Sequence, residues 1–165
     1  MISYSEAVDY LFNQRPAFER QGASGYKPGL DTTMALDAIH GHPHEHYHII
    51  HVAGSNGKGS VASLLAAILQ SQGYTVGLYT SPHFVDFNER IRVNGEPIPH
   101  DRVAEFVDNF ISSKASLDPS FFELTTILAF KYFEERKVDF AVVEVGLGGR
   151  LDSTNIITPI LSIIT

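Results

Sequence analysis

The sequence predicts an α/β fold in which a mostly parallel sheet lies between two layers of helices. Two observations support this prediction. Short apolar runs rich in β-branched residues alternate with longer segments of helical period. A glycine-rich turn containing a lysine joins the first of these runs to a helical stretch, which is the context of a phosphate-binding loop. We therefore expect a three-layer α/β/α architecture of the phosphate-loop type.

The composition is that of an ordered domain with its own apolar core. The 165 residues are 44% hydrophobic and 19% charged, and their net charge is −7. This acidic balance argues against binding to duplex nucleic acid, which needs clustered cations. The chain has no cysteine, which excludes disulfides and thiolate chemistry. No secretory signal and no apolar run near the roughly 20 residues of a membrane span are present. We predict a cytoplasmic protein without a membrane anchor.

The first 48 residues are predicted to contain two short helices and two irregular segments. Residues 5–13 and 33–39 have helical spacing of apolar side chains. Residues 14–30 are rich in proline and glycine, so we expect a loop there. Histidines then recur at every second position in residues 40–48, and we interpret them as a solvated surface loop, with metal binding as the less favoured alternative. His51 is interpreted as a buried histidine with satisfied hydrogen bonds.

A strand–helix–strand unit follows. Residues 49–53 form a β-branched run, residues 60–70 an apolar helical stretch, and residues 75–80 a second strand. Two strands joined by a helix are expected to be parallel, with a right-handed connection.

The remaining elements are a hairpin, two helices and two strands. Asn94-Gly95 joins residues 91–93 to 96–98 and is a strong hairpin signal, and we expect this ribbon to stand off the main sheet. A helix is predicted over residues 101–113 with Asp101 as N-cap, and another over 121–137. Residues 139–145 and 159–164 are predicted to be buried strands.

The glycine-rich turn is the first candidate site. Glycines allow a tight turn that points backbone N–H groups at phosphate oxygens, and the helix that follows adds the positive end of its dipole. Val52 stands where the standard spacing has glycine, so this is a shorter variant, and a chance glycine-rich corner is the alternative. Lys58 is the catalytic candidate because it can reach the terminal phosphates, and Ser60 is placed for Mg²⁺ or phosphate. The predicted nucleotide-phosphate residues are Gly54, Asn56, Gly57, Lys58, Gly59 and Ser60.

A single carboxylate at the end of a later strand is the second candidate. Glu144 lies near the carboxyl end of the strand over residues 139–145. Ligands bind at those ends in open α/β sheets, and Mg²⁺ prefers a few protein oxygens together with phosphate and water. We predict Glu144 to be a Mg²⁺ ligand, the alternative being a pairing with a basic residue. Three glycines follow, with Arg150 and Asp152 beside them, and this signal alone is weak.

Five segments together resemble one known family. Residues 52–60 (VAGSNGKGS), 79–83 (YTSPH) with 88–91 (NERI), 121–125 (FFELT) and 143–155 (VEVGLGGRLDSTN) resemble the folylpolyglutamate synthase/dihydrofolate synthase family of the Mur-ligase superfamily. The order and spacing of these motifs make the resemblance specific, and it extends through almost the whole chain.

The resemblance implies an ATP-dependent ligase that joins L-glutamate to folate or dihydropteroate through an acyl phosphate. ATP and Mg²⁺ are the implied cofactors, and Ser81 and Glu144 the implied Mg²⁺ ligands. Segments near the pterin pocket supply the implied substrate-binding residues, although Asp31 stands where the family commonly has arginine. These residues are Gly29, Leu30, Phe121, Phe122, Glu123, Leu151, Asp152 and Ser153. An aromatic ring and a carboxylate suit a pterin, while core packing and a turn are their alternatives.

The resemblance also implies the extent of the protein. Family members continue through a C-terminal glutamate-binding domain, so we expect residues 1–165 to be the N-terminal portion of the ATP-binding, Mur-ligase central-type domain. We expect this portion to be inactive alone, the complete ligase to be a monomer, and the last strand to leave a sheet edge open. The alternatives are a phosphate-loop nucleotide-binding module or another Mur-type amide ligase. No Asn-Lys-x-Asp guanine signature occurs in the sequence.

Overall fold

The computed structural model describes residues 1–15, 29–113 and 116–165. The predicted loop over residues 14–30 lies largely outside these described residues. The α-helices are α1 (Tyr4–Asn13), α2 (Asp31–Ile39), α3 (Lys58–Ser71), α4 (His100–Ser112) and α5 (Phe121–Glu135). Short 3₁₀ turns cover Pro43–His46, Phe87–Arg90 and Ser153–Ile156. The helices therefore begin and end within about two residues of the predicted positions.

One mixed sheet forms the centre of the described structure. Its strands are β1 (His48–Ala53), β2 (Val76–Tyr79), β3 (Ile91–Val93), β4 (Glu96–Pro97), β5 (Phe140–Glu144) and β6 (Leu161–Ile164). Their order across the sheet is β4-β3-β2-β5-β1-β6. Strands β2, β5, β1 and β6 are mutually parallel, and β3 and β4 are antiparallel additions. The predicted α/β class with a mostly parallel sheet is confirmed.

Helices cover both faces of this sheet. Ile50 and Val142 pack with Ala62 and Ala66 of α3 on one face. On the other face, apolar residues of β1 and β5, such as Ile49, pack with α1, α2, α4 and α5. Successive residues of a strand are thus buried on opposite faces of the sheet. This explains why the inner strands are continuously apolar and do not alternate between apolar and polar residues. In the described part of the chain, no helix combines the length and apolar character needed to span a membrane.

Two helices begin at capping boxes that the sequence contains. In α1, the Glu6 carboxylate accepts from the Ser3 N–H at 2.7 Å while the Ser3 hydroxyl accepts from the Glu6 N–H at 3.2 Å. Ser120 and Glu123 form the same reciprocal pair at the start of α5. Each box satisfies backbone donors that the first turn of a helix leaves unpaired.

Three structural predictions were wrong in part. The β3–β4 hairpin does not stand off the sheet, because β3 pairs with β2 and extends it. Asp101 is not the N-cap of α4, since Pro99 occupies that position and Asp101 lies in the first turn. The last strand was expected to be buried, yet β6 is mostly exposed because it is the edge strand beside β1.

The histidine-rich segment is more ordered than a solvated loop. The buried Asp37 carboxylate accepts from Nδ1 of His42 at 2.6 Å and from Nδ1 of His44 at 2.8 Å. His46 lies 3.1 Å from a carboxylate oxygen of Glu134. Among the residues that the structure describes, no three His, Cys, Asp or Glu side chains are grouped to hold a metal ion. The histidines here tie the turn before β1 to the helices that flank it.

Candidate functional site

The carboxyl ends of three neighbouring parallel strands carry the predicted nucleotide residues. Strand β5 lies between β1 and β2, with Val52 opposite Glu144 and Tyr79 opposite Val143. The glycine-rich turn after β1, Glu144 at the end of β5 and Ser81 after β2 therefore meet at one edge of the sheet. This edge is where open α/β sheets bind ligands.

The turn after β1 adopts the conformation that its glycines allow. Gly54 and Gly57 have φ angles of 138° and 79°, which side-chain-bearing residues rarely adopt. Gly57 is the N-cap residue of α3, so the helix begins at Lys58. The Lys58 ammonium group donates to the Gly54 carbonyl at 2.9 Å and is thereby held over the turn. Because the first turn of a helix leaves backbone N–H groups without intrahelical partners, these groups and the ammonium group could together receive an anion.

The end of β6 supports this turn, a role that the sequence did not suggest. The Thr165 N–H donates to the Ala53 carbonyl at 3.0 Å, and its hydroxyl donates to the Asn56 carbonyl at 2.5 Å. A Cβ atom on Gly54 would lie 2.2 Å from the Thr165 hydroxyl oxygen. Glycine is therefore required at position 54 for two reasons: its backbone angle, and the close approach between β6 and the turn.

Glu144 is buried beside the glycine-rich turn. Glu144 is only 4% exposed, and its Oε2 accepts from the Ser81 N–H at 3.0 Å. A Cβ atom on Gly59 would lie 3.5 Å from Oε2, so the carboxylate faces the first turn of α3. Burial raises the pKa of Glu144, while the Ser81 hydrogen bond and the charges of Lys58 and Arg90 oppose the rise.

The donor set at this edge suits a magnesium ion that also binds phosphate. Glu144 supplies one buried carboxylate, and the Ser60 and Ser81 hydroxyl groups belong to the α3 terminus and the β2 end that meet there. Because the described chain groups no three ionisable ligands, an ion here would need additional oxygens from phosphate or water. Mg²⁺ is bound in this way at nucleotide sites, so the residues present fit it.

Asp152 closes the glycine-rich segment that follows β5. The buried Asp152 accepts from the Leu147 N–H at 2.8 Å through Oδ2. Its Oδ1 accepts from the Thr154 N–H at 3.0 Å and from the Thr154 hydroxyl at 2.5 Å. Ser153 is buried at the start of the 153–156 turn, whereas Leu151 is exposed. Both oxygens of Asp152 are thus engaged in holding the loop.

His51 supports the same network from β1. Its Nε2 lies 2.8 Å from the Thr154 hydroxyl oxygen. Because that hydroxyl donates its hydrogen to Asp152, Nε2 of His51 must be the donor. Burial lowers the pKa of His51, against an opposing effect of Asp152, which favours the neutral form of the ring. His51 is a buried histidine with a hydrogen-bond partner, as interpreted from the sequence.

The predicted aromatic pair divides into a buried and a half-buried ring. Phe121 is buried, with the rings of Phe12 and Phe87 at centroid distances of 4.4 and 6.0 Å. The Phe122 ring is half-buried, 5.9 Å from the Tyr79 ring and packed on the backbone of Gly146. Only Phe122 has surface left for a ligand.

The first turn of α2 lies in the same neighbourhood as the start of α5. Gly29 has a φ angle of 118°, and the half-buried Leu30 is the N-cap residue of α2. Glu123 is buried and accepts from the Ser120 N–H at 2.7 Å and from the Thr33 hydroxyl at 3.3 Å. Helices α2 and α5 both contact the 153–156 turn. The structure thus brings the three predicted substrate segments together.

Comparison with known proteins finds that the chain is similar to one class of synthase. No model of a protein family matches the chain. The dihydrofolate synthase/folylpolyglutamate synthase of Bacillus subtilis is 47% identical over 148 residues, which are 86% of this chain and 34% of that protein. The folylpolyglutamate synthase structure of Thermotoga maritima superposes with a TM-score of 0.82 at 44% identity, covering 94% of this chain and 36% of that one. This chain is similar to a part of the folylpolyglutamate and dihydrofolate synthases.

A ligand-bound relative has the same fold. The E. coli FolC structure in complex with DHPP and ADP superposes with a TM-score of 0.88 at 32% identity and covers 99% of this chain. The chain spans about a third of the length of these three relatives, 34%, 36% and 38% respectively.

A buried arginine beside these strand ends was missed by sequence reasoning. Arg90 is fully buried, and its Nε donates to Nδ1 of His83 at 2.8 Å. Its guanidinium lies 5.0 Å from the centroid of the Phe121 ring, and its charge acts on Glu144. Arg90 and His83 both belong to the motifs that carry the family resemblance. Nothing in residue type or spacing, however, indicated that the arginine would be buried.

Proposed function

We propose that this chain is the nucleotide-binding part of an ATP-dependent ligase that adds L-glutamate to folate or dihydropteroate. The observation that carries the proposal is that the lysine-containing turn after β1 and the buried Glu144 carboxylate lie at neighbouring strand ends, with Gly59 facing the carboxylate. Homology to synthases of this class supplies the substrate class.

The residues at the strand ends suit phosphoryl transfer to a carboxylate. Such transfer depends on positioning and on neutralising charge as the γ-phosphoryl group moves. The Lys58 ammonium group lies at the turn where α3 begins, and this supports our assignment of the turn to the phosphates. Mg²⁺, when bound, supplies further positive charge to the phosphates. We assign its protein ligands to Glu144, Ser60 and Ser81.

The substrate residues divide by exposure into contact and support. We assign contact with the pterin to the accessible side chains of Leu30, Phe122 and Leu151. The buried Phe121, Glu123, Asp152 and Ser153 are assigned to the support of that pocket, since their polar atoms engage other residues or their rings lie in the core. Gly29 provides the backbone turn before α2.

The chain spans about a third of the length of its relatives, so we assign part of the ligase chemistry to regions outside residues 1–165. We propose that residues 1–165 form the N-terminal portion of the ATP-binding domain, and that glutamate is bound by regions outside them. We expect these residues to bind nucleotide without turnover. A cytoplasmic location and a monomeric complete ligase stay predictions from the sequence.

Ligand titration of the chain tests the proposal. We expect calorimetry to detect binding of ATP with Mg²⁺ and of dihydropteroate or folate, with no displacement of ATP by GTP. Equal competition by GTP without folate binding would instead favour a general phosphate-loop nucleotide module. Binding of a cell-wall precursor in place of folate compounds would favour another Mur-type ligase.

A further inference from the structure

We propose that His51 and Thr154 are positioning residues for the glycine-rich segment over residues 146–152. They act in series. His51 in β1 holds the Thr154 hydroxyl, this hydroxyl orients the Asp152 carboxylate, and the carboxylate closes the segment. Because the segment begins two residues after Glu144, the central strand of the sheet would in this way set the path of the chain that leaves the candidate site.

Apolar packing does not fix the middle of this segment. Val145 before it and Asp152 at its end are buried, but residues 147–151 are exposed or half-buried. Leu147 and Leu151 are 44% and 42% exposed. Gly148 has a φ angle of 73°, in the region that glycine adopts most readily. Backbone and polar contacts therefore decide the path of the chain between the two buried ends.

The Asp152 carboxylate joins the beginning of the segment to its end. Its Oδ2 accepts from the Leu147 N–H at 2.8 Å. The Asp152 N–H donates to the Gly149 carbonyl at 3.0 Å, and the Asn155 side-chain amide donates to the Arg150 carbonyl at 3.1 Å. A carboxylate can reach the Leu147 N–H in this way only when its plane is turned toward the start of the segment, so its orientation has to be fixed.

Thr154 fixes the second oxygen of the carboxylate. Oδ1 of Asp152 accepts from the Thr154 N–H at 3.0 Å and from the Thr154 hydroxyl at 2.5 Å. A hydroxyl group has one hydrogen, so its oxygen can serve another partner only as an acceptor. Nε2 of His51 lies 2.8 Å from that oxygen and is the donor. The direction of the Thr154 hydroxyl is thus set from both sides.

The chain of hydrogen bonds is buried along its length. His51, Thr154 and Asp152 are all buried, and they come from a strand, a 3₁₀ turn and the segment itself. His51 is held in place because β1 pairs with β5 on one side and with β6 on the other. Removing one partner from a buried polar chain leaves another polar atom unsatisfied, which costs more than losing an exposed hydrogen bond.

Residue-resolved hydrogen exchange tests the chain at its far end, the Leu147 amide. Thr154→Val keeps the size of the side chain and the backbone N–H but removes the hydroxyl. We expect the Leu147 amide to exchange about tenfold faster in this variant, as the loss of one hydrogen bond to a charged group predicts, while amides of β2 and β5 are unchanged. Thr154→Ser restores the hydroxyl and should return the Leu147 rate to within about threefold of wild type.

Thr125→Val is the matched control. It also removes a buried threonine hydroxyl, one that donates to the Phe121 carbonyl within α5 at 2.7 Å. It should leave the Leu147 amide unchanged. An unchanged Leu147 rate in Thr154→Val, an equal increase in Thr125→Val, or a failure of Thr154→Ser to restore the rate overturns the proposal.

A second pair of variants tests the other end of the chain and does not depend on the folding of Thr154→Val. In His51→Gln the side-chain amide nitrogen can take the place of Nε2 and donate to Thr154, whereas the shorter side chain of His51→Asn does not reach it. We expect a Leu147 rate within about threefold of wild type in His51→Gln and about tenfold faster in His51→Asn. Equal rates in the two variants would contradict a role for the His51 donor.

Ligand affinities separate positioning from general stability, and this part rests on the proposed function, in which Leu151 is assigned to the substrate. In Thr154→Val we expect the affinity for folate to fall about fivefold or more and the affinity for ATP with Mg²⁺ to stay within about twofold of wild type. Equal loss of both affinities indicates a merely structural role and contradicts the proposal. If the wild-type chain binds neither ligand, the proposed function fails, whereas the exchange experiments still decide whether His51 and Thr154 position the segment.

Discussion

Lys58 supplies the positive charge that we assign to anion binding at the glycine-rich turn. Its ammonium group donates to the Gly54 carbonyl, and the residue is only half-buried. We therefore expect Lys58→Ala to weaken ATP binding by about 10- to 100-fold, the value of one hydrogen bond to a charged group, without changing the melting temperature much. Calorimetry and thermal unfolding measure the two effects.

The matched control is Lys131→Ala, which removes a lysine that pairs with Glu134 on α5. It should leave ATP affinity unchanged. Near-normal ATP affinity in Lys58→Ala would remove the basis for assigning this turn to phosphate.

Glu144 is a buried carboxylate whose charged form the fold does not favour. Its pKa is raised above 4.5 in the folded state, chiefly by burial. Such a group adds stability while it is protonated at low pH, and that contribution is lost as the pH rises through its folded pKa. We expect Glu144→Gln to unfold at a higher temperature than wild type at pH 7, because the amide avoids the buried charge and its oxygen still accepts from Ser81. The difference should disappear near pH 4, and a less stable variant at pH 7 would contradict the assignment.

Residue chemistry indicated a candidate anion site more clearly than a candidate substrate pocket. Lys58 and Glu144 were singled out because a phosphate loop and a strand-end carboxylate have characteristic contexts. The carboxylates of Glu123 and Asp152 look equally available in the sequence, yet one caps α5 and the other closes a loop. A sequence does not state which backbone N–H groups a carboxylate will satisfy, and for this reason contact and support could not be separated.

Among the elements, the β3–β4 hairpin shows what local signals leave open. Asn94-Gly95 correctly predicted the turn, but not the strand beside it. Asn94 itself makes the connection, since its side-chain oxygen accepts from the Val76 N–H at 2.8 Å and its N–H donates to the Val76 carbonyl at 2.9 Å. Such a pairing depends on the three-dimensional position of β2 and has no local sequence pattern.

The junction of β5 and α5 depends on one glycine. A Cβ atom on Gly146 would lie 2.4 Å from the Phe122 ring. We expect Gly146→Ala to lower the free energy of unfolding by about 1–3 kcal/mol, the usual cost of overpacking. Gly149→Ala, where a Cβ meets no atom within 4 Å, should change it by about 0.5 kcal/mol at most.

Chemical denaturation of the single and double variants measures this contact. In the Phe122→Ala background, Gly146→Ala should cost much less because the ring is gone. Equal costs in both backgrounds would contradict a steric role for Phe122.

For the whole molecule, strand order decides which residues meet. The sequence predicted β1, α3 and β2 as one parallel unit, but β5 lies between the two strands. This insertion brings Glu144 next to both the glycine-rich turn and Ser81. Local periodicity contains no information about a strand some 60 residues later in the chain, so the sequence indicated candidate residues but not how they assemble.

The sheet of the described structure ends in an exposed apolar edge. Leu161 and Ile164 of β6 are 48% and 85% exposed, and the strand carries no charge. An open edge of this kind is a template for pairing with another strand. We expect the chain to associate at high concentration, and Leu161→Lys to reduce this association, as measured by light scattering. Leu147→Lys, which charges an exposed site away from the edge, should not reduce it, and equal effects of both variants would contradict edge pairing.

The central claim is that the ends of β1, β5 and β2 form one site for ATP with Mg²⁺, and ATP titration with and without Mg²⁺ tests it most directly. For the wild-type chain we predict that removal of Mg²⁺ weakens ATP binding about tenfold or more, as loss of a charge-assisted contact implies. In Glu144→Gln the same removal should have little effect, because the carboxylate ligand is already absent. An undiminished Mg²⁺ dependence in Glu144→Gln, or no ATP binding by a folded wild-type chain, would contradict the account.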